Sequence, residues 1–382
     1  MRLLVNGVAA RLGGGMRNLN PLIVALAEEL TNADIEVFVP SRFEVKVTHP
    51  RVKWTPIDLP QGVSLRRLWW DNVTLPLLGR SADAIFSPLN FGPVFTGRPH
   101  VICQCSALYF DKPFIKTQPL PIRLSLEAGR LLAAVCMNRA DAVVTPTESM
   151  AAMVRPLLWD KTKVSVAFHG FDVKAAKEMA ERPMTAAAEQ WSEGDVRLLH
   201  IGHPYDQKNL PMLARTLERV IDLLADVSVT LAVTFDEQHS EPSVTEFVDA
   251  AKAYGVFDQV SFLGAVANHD VYALYQHAHV LLFPSTSESF GIPVLEAFSV
   301  GTAVVAADID SIAEVAGGLG YLHEPSNAAQ AAQAVLSALS EDSSLAALRR
   351  SRAAEFSPKR EVQIIAQLLR DAVSSGRQRP AS

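Results

Sequence analysis

The fold of this chain is decided by the stretch VLLFPSTSESFGIPVLEA, residues 280–297. Its first four residues form an uninterrupted apolar run, which is typical of a strand buried on both faces of a sheet. A polar loop with one glycine follows, and Pro293 stands where a helix begins, since proline has no N–H to lose in a first helical turn. The stretch therefore predicts a strand, a loop and a helix in that order, which is the repeating unit of a parallel α/β sheet.

The same unit recurs along the chain. Short apolar runs alternate with helical patterns, so we predict helices on both faces of each parallel sheet. A first series of predicted strands comprises residues 3–7, 35–39, 84–86, 101–103 and 142–144. A second series comprises residues 197–202, 227–234, 260–263, 280–283 and 303–306. The sequence thus predicts an α/β fold with two doubly wound, Rossmann-like domains.

The length of 382 residues suits two domains, since a single core rarely grows that large. The best linker is a polar, Ala- and Glu-rich stretch from about residue 175 to 195, which contains Pro183 and lacks a clean strand pattern. A final helix is predicted over 358–373, and the polar tail 374–382 is expected to fray. The predicted divisions are residues 1–188, 189–357 and 358–382.

The composition excludes several classes of protein. Apolar residues make up 49% of the chain, too much for disorder, yet no run nears the ~20 residues that cross a bilayer. The net charge of −6 disfavours nucleic acid as the main partner, although it hides +5 over residues 1–190, which suits a smaller anionic partner. Three sparse cysteines and the lack of a leader pattern predict a cytoplasmic protein. No residues have the spacing of metal ligands, so we predict no metal site.

Two carboxylates flank the start of the helix in the opening stretch. Glu288 lies in the loop, and Glu296 lies eight residues later in the helix. The N–H groups of a first helical turn carry the positive end of the helix dipole, so this point suits a diphosphate. A carboxylate beside it can accept hydrogen bonds from vicinal sugar hydroxyls. The segment therefore predicts a site for a nucleotide or phosphorylated sugar, and a solvated helix face with a capping arrangement is the alternative.

The segment ESFGIPVLEA, residues 288–297, resembles the Glu-x7-Glu motif of the retaining glycosyltransferases of family 4, and GTAVV at 301–305 is similar to the strand that follows it there. The resemblance extends along essentially the whole chain. It implies the GT-B fold, in which two Rossmann-like domains face a cleft and a C-terminal helix crosses back to the N-terminal domain. It also implies an acceptor-binding N-terminal domain, a C-terminal domain that binds a nucleoside-diphosphate sugar, and neither metal nor cofactor.

The resemblance assigns roles to single residues of the motif. Glu288 would meet the donor sugar near the reacting centre. Glu296 would hold the ribose of the nucleotide. The residues that would offer backbone N–H groups to the sugar or the diphosphate are Phe290, Gly291 and Ile292.

A second motif, IGHPYDQKNL at residues 201–210, is similar to the Gly-Arg-x4-Lys-Asn/Gly loop of the family. Lys208 would act as a point charge against the leaving phosphate. His203 stands where the family has arginine, and an imidazole cannot make the bidentate fork of a guanidinium. Two roles for His203 therefore stay open: contact with the sugar donor, or packing within the loop. Contacts to the donor base are expected near Leu263 and Gly264.

The N-terminal half supplies the remaining candidates. Its glycine cluster, residues 13–15, predicts a loop after the first strand, and by resemblance Gly14 and Gly15 would approach the donor. The cluster does not match G-x-G-x-x-G, which disfavours a plain dinucleotide-binding dehydrogenase. Cys105 lies near a position where the family has histidine, and we interpret it as an ordinary buried cysteine. The acceptor-side candidates implied by the resemblance are Asn90, Gln104 and His169.

The sequence as a whole predicts a retaining glycosyltransferase that moves a hexosyl or N-acetylhexosaminyl group from a GDP- or UDP-linked donor. The acceptor hydroxyl would belong to a glycan, a lipid-linked saccharide or a small natural product. Two alternatives stay open: a GT-B nucleotide-sugar 2-epimerase, and a non-catalytic scaffold, which the missing arginine and histidine would suit. The run RRLWW at 66–70 resembles a packed family helix and also suits an anionic surface, so peripheral contact with the inner face of a membrane is a further expectation. The oligomeric state is not predicted.

Overall fold

The chain divides into two compact units in the computed structural model, which describes residues 1–10, 14–60, 64–181, 191 and 195–377. The first unit combines Met1–Gly170 with Ser357–Ser382, and the second spans Phe171–Phe356. The second unit is therefore a continuous piece of chain, whereas the first needs both ends of it.

The first unit is built on a sheet of seven strands, and every pair of neighbours is parallel. Its strands are β1 Arg2–Asn6, β2 Asp34–Pro40, β3 Val52–Ile57, β4 Ala84–Ser87, β5 His100–Cys103, β6 Ala142–Thr145 and β7 Val164–Val166. Their order across the sheet is β3-β2-β1-β4-β5-β6-β7. The direction of winding reverses between β1 and β4, which makes a topological switch point at the carboxyl ends of these strands.

Helices cover this sheet as the alternating pattern predicts. They are α1 Gly14–Glu29, α2 Leu65–Trp69, α3 Leu75–Leu78, α4 Lys112–Thr117, α5 Leu120–Arg139 and α6 Glu148–Val154. Gly14 and Gly15 open α1, so they lie in a first helical turn and not in the predicted glycine loop, because that helix begins closer to β1 than its apolar pattern indicates. Gly13 lies outside the described residues.

The second unit is built on a sheet of six parallel strands. Its strands are β8 Val196–His200, β9 Val229–Val233, β10 Val260–Phe262, β11 Val280–Phe283, β12 Ala303–Ala307 and β13 Tyr321–His323. Their order is β10-β9-β8-β11-β12-β13, so the switch point of this sheet lies between β8 and β11. The buried side chains of α8, Pro211–Leu223, join those of β8 and β9 in its core.

The remaining helices of the second unit follow the same α/β alternation. They are α7 Val173–Ala180, α9 Pro242–Ala253, α10 Asn268–His277, α11 Ile292–Val300, α12 Asp310–Ala316, α13 Ala328–Leu339 and α14 Ser344–Ala354. Because α7 packs on α10 and α11, the chain joins the second unit before the predicted boundary at residue 188. The predicted linker thus starts as a helix, and its residues 182–190 and 192–194 lie outside the described part.

The last helix, α15 Pro358–Arg377, packs on the first unit against α1, β4, β5 and β6. Its buried side chains complete the core of that unit, and they are Val362, Ile365, Ala366, Leu369 and Ala372. The helix continues beyond residue 373, where the fraying tail was predicted to begin. An apolar stripe at helical spacing is what draws it onto the sheet.

Candidate functional site

Lys208 and Glu288 meet at the switch point of the second unit. The loop after β8 carries Lys208, and the loop after the neighbouring strand β11 carries Glu288. The Lys208 Nζ donates a hydrogen bond to Glu288 Oε1 over 2.6 Å, although the two residues are 80 positions apart. Their side chains keep 12% and 18% of their surface exposed, so water screens this ion pair only in part. The structure therefore brings together the two residues predicted to carry the chemistry.

Two neighbouring contacts fix the loop that carries Lys208. The Thr286 N–H donates to the Gln207 carbonyl over 2.8 Å, which ties this loop to the one after β11. Asn209 has a left-handed backbone, φ 51°, and its Nδ2 donates to the carbonyls of Pro284 and Pro325 over 3.4 and 3.2 Å. Asparagine adopts this conformation more readily than most residues. The sequence reasoning missed Asn209, although an asparagine between a short turn and a helix start is a visible signal.

The start of α11 lies beside Glu288. Gly291 precedes the helix with φ +90°, and a side chain there would clash with Ile312 Cδ1. The Ser311 hydroxyl donates to the Glu288 carbonyl over 2.8 Å, which fixes the backbone of the loop from the other side. Because Pro293 has no N–H, the amides of Gly291 and Ile292 carry the positive end of the helix dipole.

Glu296 is placed differently from Glu288. It lies inside α11, and only 3% of its surface is exposed. The buried Tyr275 hydroxyl donates to Glu296 Oε2 over 3.0 Å, and the Thr302 hydroxyl donates to the Tyr275 carbonyl over 2.6 Å. The structure therefore adds Tyr275, which the sequence reasoning missed, as a partner of this carboxylate. The predicted role of Glu296 toward ribose stays a prediction.

His200, the last residue of β8, is a further residue that sequence reasoning missed. It is fully buried, and its Nδ1 lies 3.0 Å from the Leu282 carbonyl, while its Nε2 has no partner among the described residues. Burial lowers the pKa of His200 to about 4, and the nearby Lys208 contributes to the lowering, so the ring is neutral at neutral pH. With a proton on Nδ1, its Nε2 is an acceptor. A histidine at the carboxyl end of a strand, just before the Ile-Gly of the loop, is the signal that could have indicated it.

Two hydroxyls of the loop after β11 are also buried without a partner in the described part of the chain, those of Ser285 and Ser287. A buried polar group without a hydrogen bond is rare in folded proteins and calls for an explanation such as a bound ligand or water. Gly202 lies in the loop after β8, and its backbone is close to the side chains of both Lys208 and His200. A methyl group there would lie 3.4 Å from Lys208 Cε and 3.9 Å from His200 Nε2.

His203 lies at the exposed rim of this loop. Its ring stacks on Tyr205, with centroids 4.1 Å apart, and its edge faces His239 at 5.3 Å. Burial lowers the pKa of His203, and the neighbouring His239 lowers it further. The ring is therefore mainly neutral at neutral pH and does not supply the permanent charge of an arginine.

Leu263 and Gly264 follow β10, on the same edge of the sheet. The Leu263 N–H donates to the Val233 carbonyl over 2.9 Å. Gly264 has φ +67°, and a Cβ there would lie 2.7 Å from Asp236 Oδ1. Only glycine fits this turn, which keeps the backbone accessible beside Asp236. The predicted contact with the donor base stays a prediction.

In the first unit, Asn90 and Gln104 form one hydrogen-bonded corner. Asn90 has φ 61°, and its Oδ1 accepts the N–H groups of Cys105 and Ser106 over 2.8 and 3.0 Å. Gln104 is buried and donates from Nε2 to the Asn90 carbonyl over 2.7 Å, while its Oε1 has no partner among the described residues. The Asn90 side chain therefore holds the loop, and Gln104 keeps an acceptor available.

His169 belongs to a different cluster of the first unit. Its Nδ1 lies 3.2 Å from Glu361 Oε1, and the Gly170 N–H donates to Glu361 Oε2 over 2.8 Å. Burial by itself lowers the pKa of His169, but hydrogen bonds with Cys105 and Glu361 raise it to about 10. Cys105 was predicted to be buried, but it is half-buried, and its Sγ donates to the Pro88 carbonyl over 3.4 Å. The interpretation of Cys105 as an ordinary, non-functional cysteine stays a prediction.

Neither a metal cluster nor a membrane-spanning helix is present in the described ranges. Within residues 1–10, 14–60, 64–181, 191 and 195–377, no three His, Cys, Asp or Glu side chains are arranged to hold a metal ion. No helix in these ranges is both long and apolar enough to cross a membrane.

Known proteins resemble this chain in structure and, more narrowly, in sequence. HepE of Anabaena in complex with UDP and glucose superposes over 97% of this chain and 100% of its own, with a TM-score of 0.75 at 18% identity. The chain is 28% identical over 221 residues to glycogen synthase of Mycobacterium tuberculosis, which covers 57% of this chain and 50% of that protein. It is 36% identical over 84 residues to O-antigen chain mannosyltransferase B of Escherichia coli, 22% of each chain. The chain thus matches about half or less of the length of these curated relatives.

These similarities identify the fold of the chain and the family that one segment of it matches. The two parallel sheets with their helices are those of the GT-B glycosyltransferase fold, which confirms the predicted fold. Residues 182–355, which contain Lys208, Glu288 and Glu296, match the family model of the group 1 glycosyl transferases. This match covers less than half of the chain, so it supports the predicted family for this segment, and the assignment of the whole chain and the finer assignment to family 4 stay predictions.

Proposed function

We propose that this chain is a retaining glycosyltransferase that moves a sugar from a nucleoside-diphosphate sugar to an acceptor hydroxyl. The observation that carries the proposal is the Lys208–Glu288 ion pair beside the start of α11. Its support also includes the names of two relatives, a glycogen synthase and a mannosyltransferase, and the UDP bound by HepE.

Lys208 carries a cationic group, and a bound diphosphate can replace Glu288 as the partner of that group. Negative charge grows on the leaving diphosphate as the anomeric bond breaks, so a cation and a helix start at that point stabilise the transition state more than the ground state. Glu288, released from Lys208, is then free to accept hydrogen bonds from the donor sugar. The ion pair holds both groups in position before the donor binds.

The unpartnered polar atoms of the site suit the same ligand. The Ser285 and Ser287 hydroxyls can donate to phosphate or sugar oxygens. The His200 Nε2 is an acceptor, so it suits a sugar hydroxyl or a water and not a phosphate oxygen. A sugar phosphate, which combines acceptors with hydroxyl donors, matches both kinds of partner.

The reaction then needs an acceptor hydroxyl on the leaving-group face of the sugar. This hydroxyl attacks the anomeric carbon as the bond to the diphosphate breaks, and a donor phosphate oxygen takes its proton. Glu288 positions the sugar during transfer. On the acceptor side, the Gln104 Oε1 can accept from a hydroxyl and His169 can donate, whereas Asn90 positions the loop that carries Gln104.

The substrates are proposed at the level of class. The donor is UDP- or GDP-linked and carries a hexosyl or N-acetylhexosaminyl group, with its base near Leu263 and Gly264 and its ribose at Glu296. The acceptor is a glycan, a lipid-linked saccharide or a small molecule. No metal or other cofactor takes part in the proposed reaction.

The proposed location is the cytoplasm, with peripheral contact to the inner face of a membrane. Three free cysteines suit a reducing compartment. Leu65 and Trp69 of α2 expose most of their side chains beside Arg66, which suits an anionic lipid interface. Flotation with anionic vesicles, which Trp69→Ala should weaken, tests this contact.

A donor panel tests the proposed function. Thermal shift with UDP, GDP and their sugars identifies the nucleotide, and mass detection of transfer with the stabilising donor identifies the product. We expect Lys208→Ala and Glu288→Gln each to lower transfer at least about 100-fold, as for other groups that stabilise developing charge. Lys252→Ala is the matched control, since it removes one lysine charge from an exposed position on α9.

The outcomes separate the alternatives. Near-normal transfer by Lys208→Ala would overturn the phosphate role. A new sugar from UDP-N-acetylglucosamine alone, without an acceptor, would indicate an epimerase, and no stabilisation by any nucleotide would indicate a scaffold. The anomeric configuration of the product, read by NMR, tests retention.

A further inference from the structure

The helix α5 of the first unit is apolar on two opposite sides. Its inner side packs on the sheet through buried residues that include Ala133, Cys136 and Met137. Its outer side carries four exposed apolar residues, and their spacing along the helix places them in one line. This line is the outer stripe, and it consists of Leu120, Leu124, Leu131 and Val135. A helix that is apolar on both sides is normally covered on both, so the outer stripe calls for a partner.

The apolar surface continues beyond the end of α5. The Arg139 guanidinium lies 5.8 Å from the ring centre of Phe95 and 5.9 Å from that of Trp159. Both rings are exposed to solvent. Exposed aromatic rings beside an arginine are typical of a lipid–water interface, where the ring contacts the acyl chains and the cation contacts the headgroups.

The helices α2 and α3 cover the same face of the sheet as α5. The core beneath α2 and α3 contains Leu4 and Ile85, and the core beneath α5 contains Ile102 and Val143. Leu4 pairs with Ile85, and Ile102 pairs with Val143. Because Ile102 also pairs with Ser87, two positions after Ile85, both pairs point to one face. The exposed apolar residues of α2 and α3 therefore lie on the same side of the unit as the outer stripe, and they are Leu65, Trp69, Leu77 and Leu78.

Basic residues accompany this apolar surface. Residues 112–139, which comprise α4 and α5, contain five lysines and arginines but one acidic residue, Glu127. Glu127 pairs with Arg130 over 3.3 Å. The exposed basic residues of these helices and of the segment around α2 and α3 are Lys112, Lys116, Arg123, Arg139, Arg66 and Arg80. An apolar surface with cations beside it matches an anionic lipid interface, since the headgroups pair with the cations and the apolar side chains reach the acyl chains.

A second copy of this chain matches the surface less well. Most two-fold dimers join one patch to the same patch, so the basic residues of one copy would face those of the other. Like charges placed against each other in an interface oppose association. A lipid surface with anionic headgroups has the opposite charge and can contact α2, α3 and α5 together.

We propose that α5 is an interfacial helix that docks the first unit on an anionic membrane. The outer stripe and Trp159 enter the boundary between headgroups and acyl chains, and Arg123 and Arg139 stay at the headgroups. The face of the sheet that α2, α3 and α5 cover is then the one turned toward the lipid. This proposal rests on the peripheral membrane contact proposed for α2 and extends it, but it does not depend on the proposed transfer reaction.

Flotation of the full chain with vesicles tests the role of α5. We expect the chain to bind vesicles of phosphatidylcholine with phosphatidylglycerol more tightly than vesicles of phosphatidylcholine alone, and high salt to weaken this binding. Leu124→Glu and Leu131→Glu should each lower the partition coefficient at least about tenfold, because one leucine side chain no longer enters the lipid. Leu348→Glu is the matched control, since it makes the same change at an exposed leucine of α14 in the second unit and should bind like the parent chain. The three leucines are exposed, so each variant should keep the melting temperature of the parent.

Three results would overturn the proposal. The first is parent-like binding by Leu124→Glu and Leu131→Glu, which would leave the contact to α2 alone if Trp69→Ala still weakened it. The second is a parent chain that does not bind the anionic vesicles. The third is a dimer in lipid-free ultracentrifugation that Leu131→Glu dissociates, because the outer stripe would then belong to a second copy. Flotation needs no sugar donor, and thermal shift with UDP or GDP on the same variants should match the parent, so a failed donor panel and a failed flotation are separate results.

Discussion

Glu288 and Glu296 stand at the two ends of one sequence motif, but the folded chain gives them different surroundings. Glu288 keeps 18% of its side chain exposed and pairs with Lys208, so a ligand can reach it. Glu296 is 3% exposed and accepts a hydrogen bond from the buried Tyr275. At the scale of single residues, the first carboxylate is suited to chemistry, and the second to binding and to support of the helix.

Glu296→Ala should therefore weaken UDP or GDP binding and also lower the melting temperature. Removing this carboxylate takes a hydrogen-bond acceptor from the buried Tyr275 hydroxyl, which costs about 1–3 kcal/mol. Calorimetry measures the first effect and thermal unfolding the second. Tyr275→Phe is the matched variant, because it removes the same hydrogen bond but keeps the carboxylate, so it should lower stability more than nucleotide affinity. A Glu296→Ala chain as stable and as tight-binding as the parent would contradict both roles.

His203→Arg tests whether the exposed rim of the loop after β8, which also carries Lys208, tolerates a permanent cation. The ring is exposed and stacks on Tyr205, and a guanidinium can keep that contact through a cation–π interaction. We expect nucleotide affinity, measured by calorimetry, to be retained or raised up to about tenfold, as an added arginine–phosphate contact allows. His239→Arg, which adds the same charge beside the stack, controls for charge alone. Loss of binding in His203→Arg would favour loop packing as the role of His203.

At the scale of elements, the turn into α11 depends on Gly291. Its φ of +90° is costly for other residues, and a Cβ would also clash with Ile312. Gly318 offers a matched comparison, since its φ is +80° but no atom lies within 4 Å of the place that a Cβ would take. The two glycines share a left-handed backbone and differ in the space for a side chain.

Gly291→Ala should therefore destabilise the chain more than Gly318→Ala. We expect about 1–3 kcal/mol for Gly318→Ala from strain alone, and a larger loss of unfolding free energy for Gly291→Ala. Urea unfolding of both variants gives the two values. Equal losses would show that the loop can move away from Ile312 at no cost.

The elements also show where a sequence pattern stops being informative. The predicted strands that lie inside the sheets were found, with ends shifted by a residue or two. Three of the four edge strands, β3, β7 and β13, were not predicted, whereas the fourth, β10, was predicted at residues 260–263. The three missed strands are paired on one side only and carry mainly half-buried or exposed residues, and they lack the continuous apolar run that marks a central strand.

At the scale of the whole molecule, the first unit depends on a helix from the far end of the sequence. Removing residues 357–382 takes α15 and its buried apolar side chains out of that core. Each large one is worth about 1.5–3 kcal/mol, so the loss rivals the stability of an ordinary domain. We expect the truncated chain to lose a cooperative thermal transition while the second unit keeps its own. Two unchanged transitions in a calorimetric scan would contradict this division of the core.

Two buried histidines make stability depend on pH in both units. Burial lowers the pKa of His100, in the first unit, to about 3, and that of His200, in the second, to about 4. The unfolded chain has histidine pKa values near 6.5, so below that pH it binds protons that the folded chain cannot.

The stabilisation from these neutral rings is thus complete above about pH 6.5 and falls as the pH drops toward 4, by about 1.4 kcal/mol per pH unit and site. Unfolding free energies measured at pH 7.5 and pH 5 should show this loss. His200→Gln should reduce the loss in the second unit, and His277→Gln, at an exposed position, should not. The second unit gives the clean test, because in the first unit His169, with its pKa raised to about 10, gains stability as the pH falls from 7.5 and opposes the loss from His100. A second unit as stable at pH 5 as at pH 7.5 would exclude the effect.

The sequence by itself determined the α/β class, the two sheets, the central strands and the motif residues Lys208 and Glu288. These features follow from local periodicity and from short motifs, and both can be read from the order of residues alone. Only the tertiary structure decided that Lys208 pairs with Glu288, that Glu296 is buried against Tyr275, and that His200 lies neutral beneath the site. It alone also joined His169 to Glu361, 192 positions away. Such contacts depend on which loops two neighbouring strands bring together and on how deeply each side chain is buried. The local spacing of residues in the sequence determines neither the distance between two side chains nor their burial.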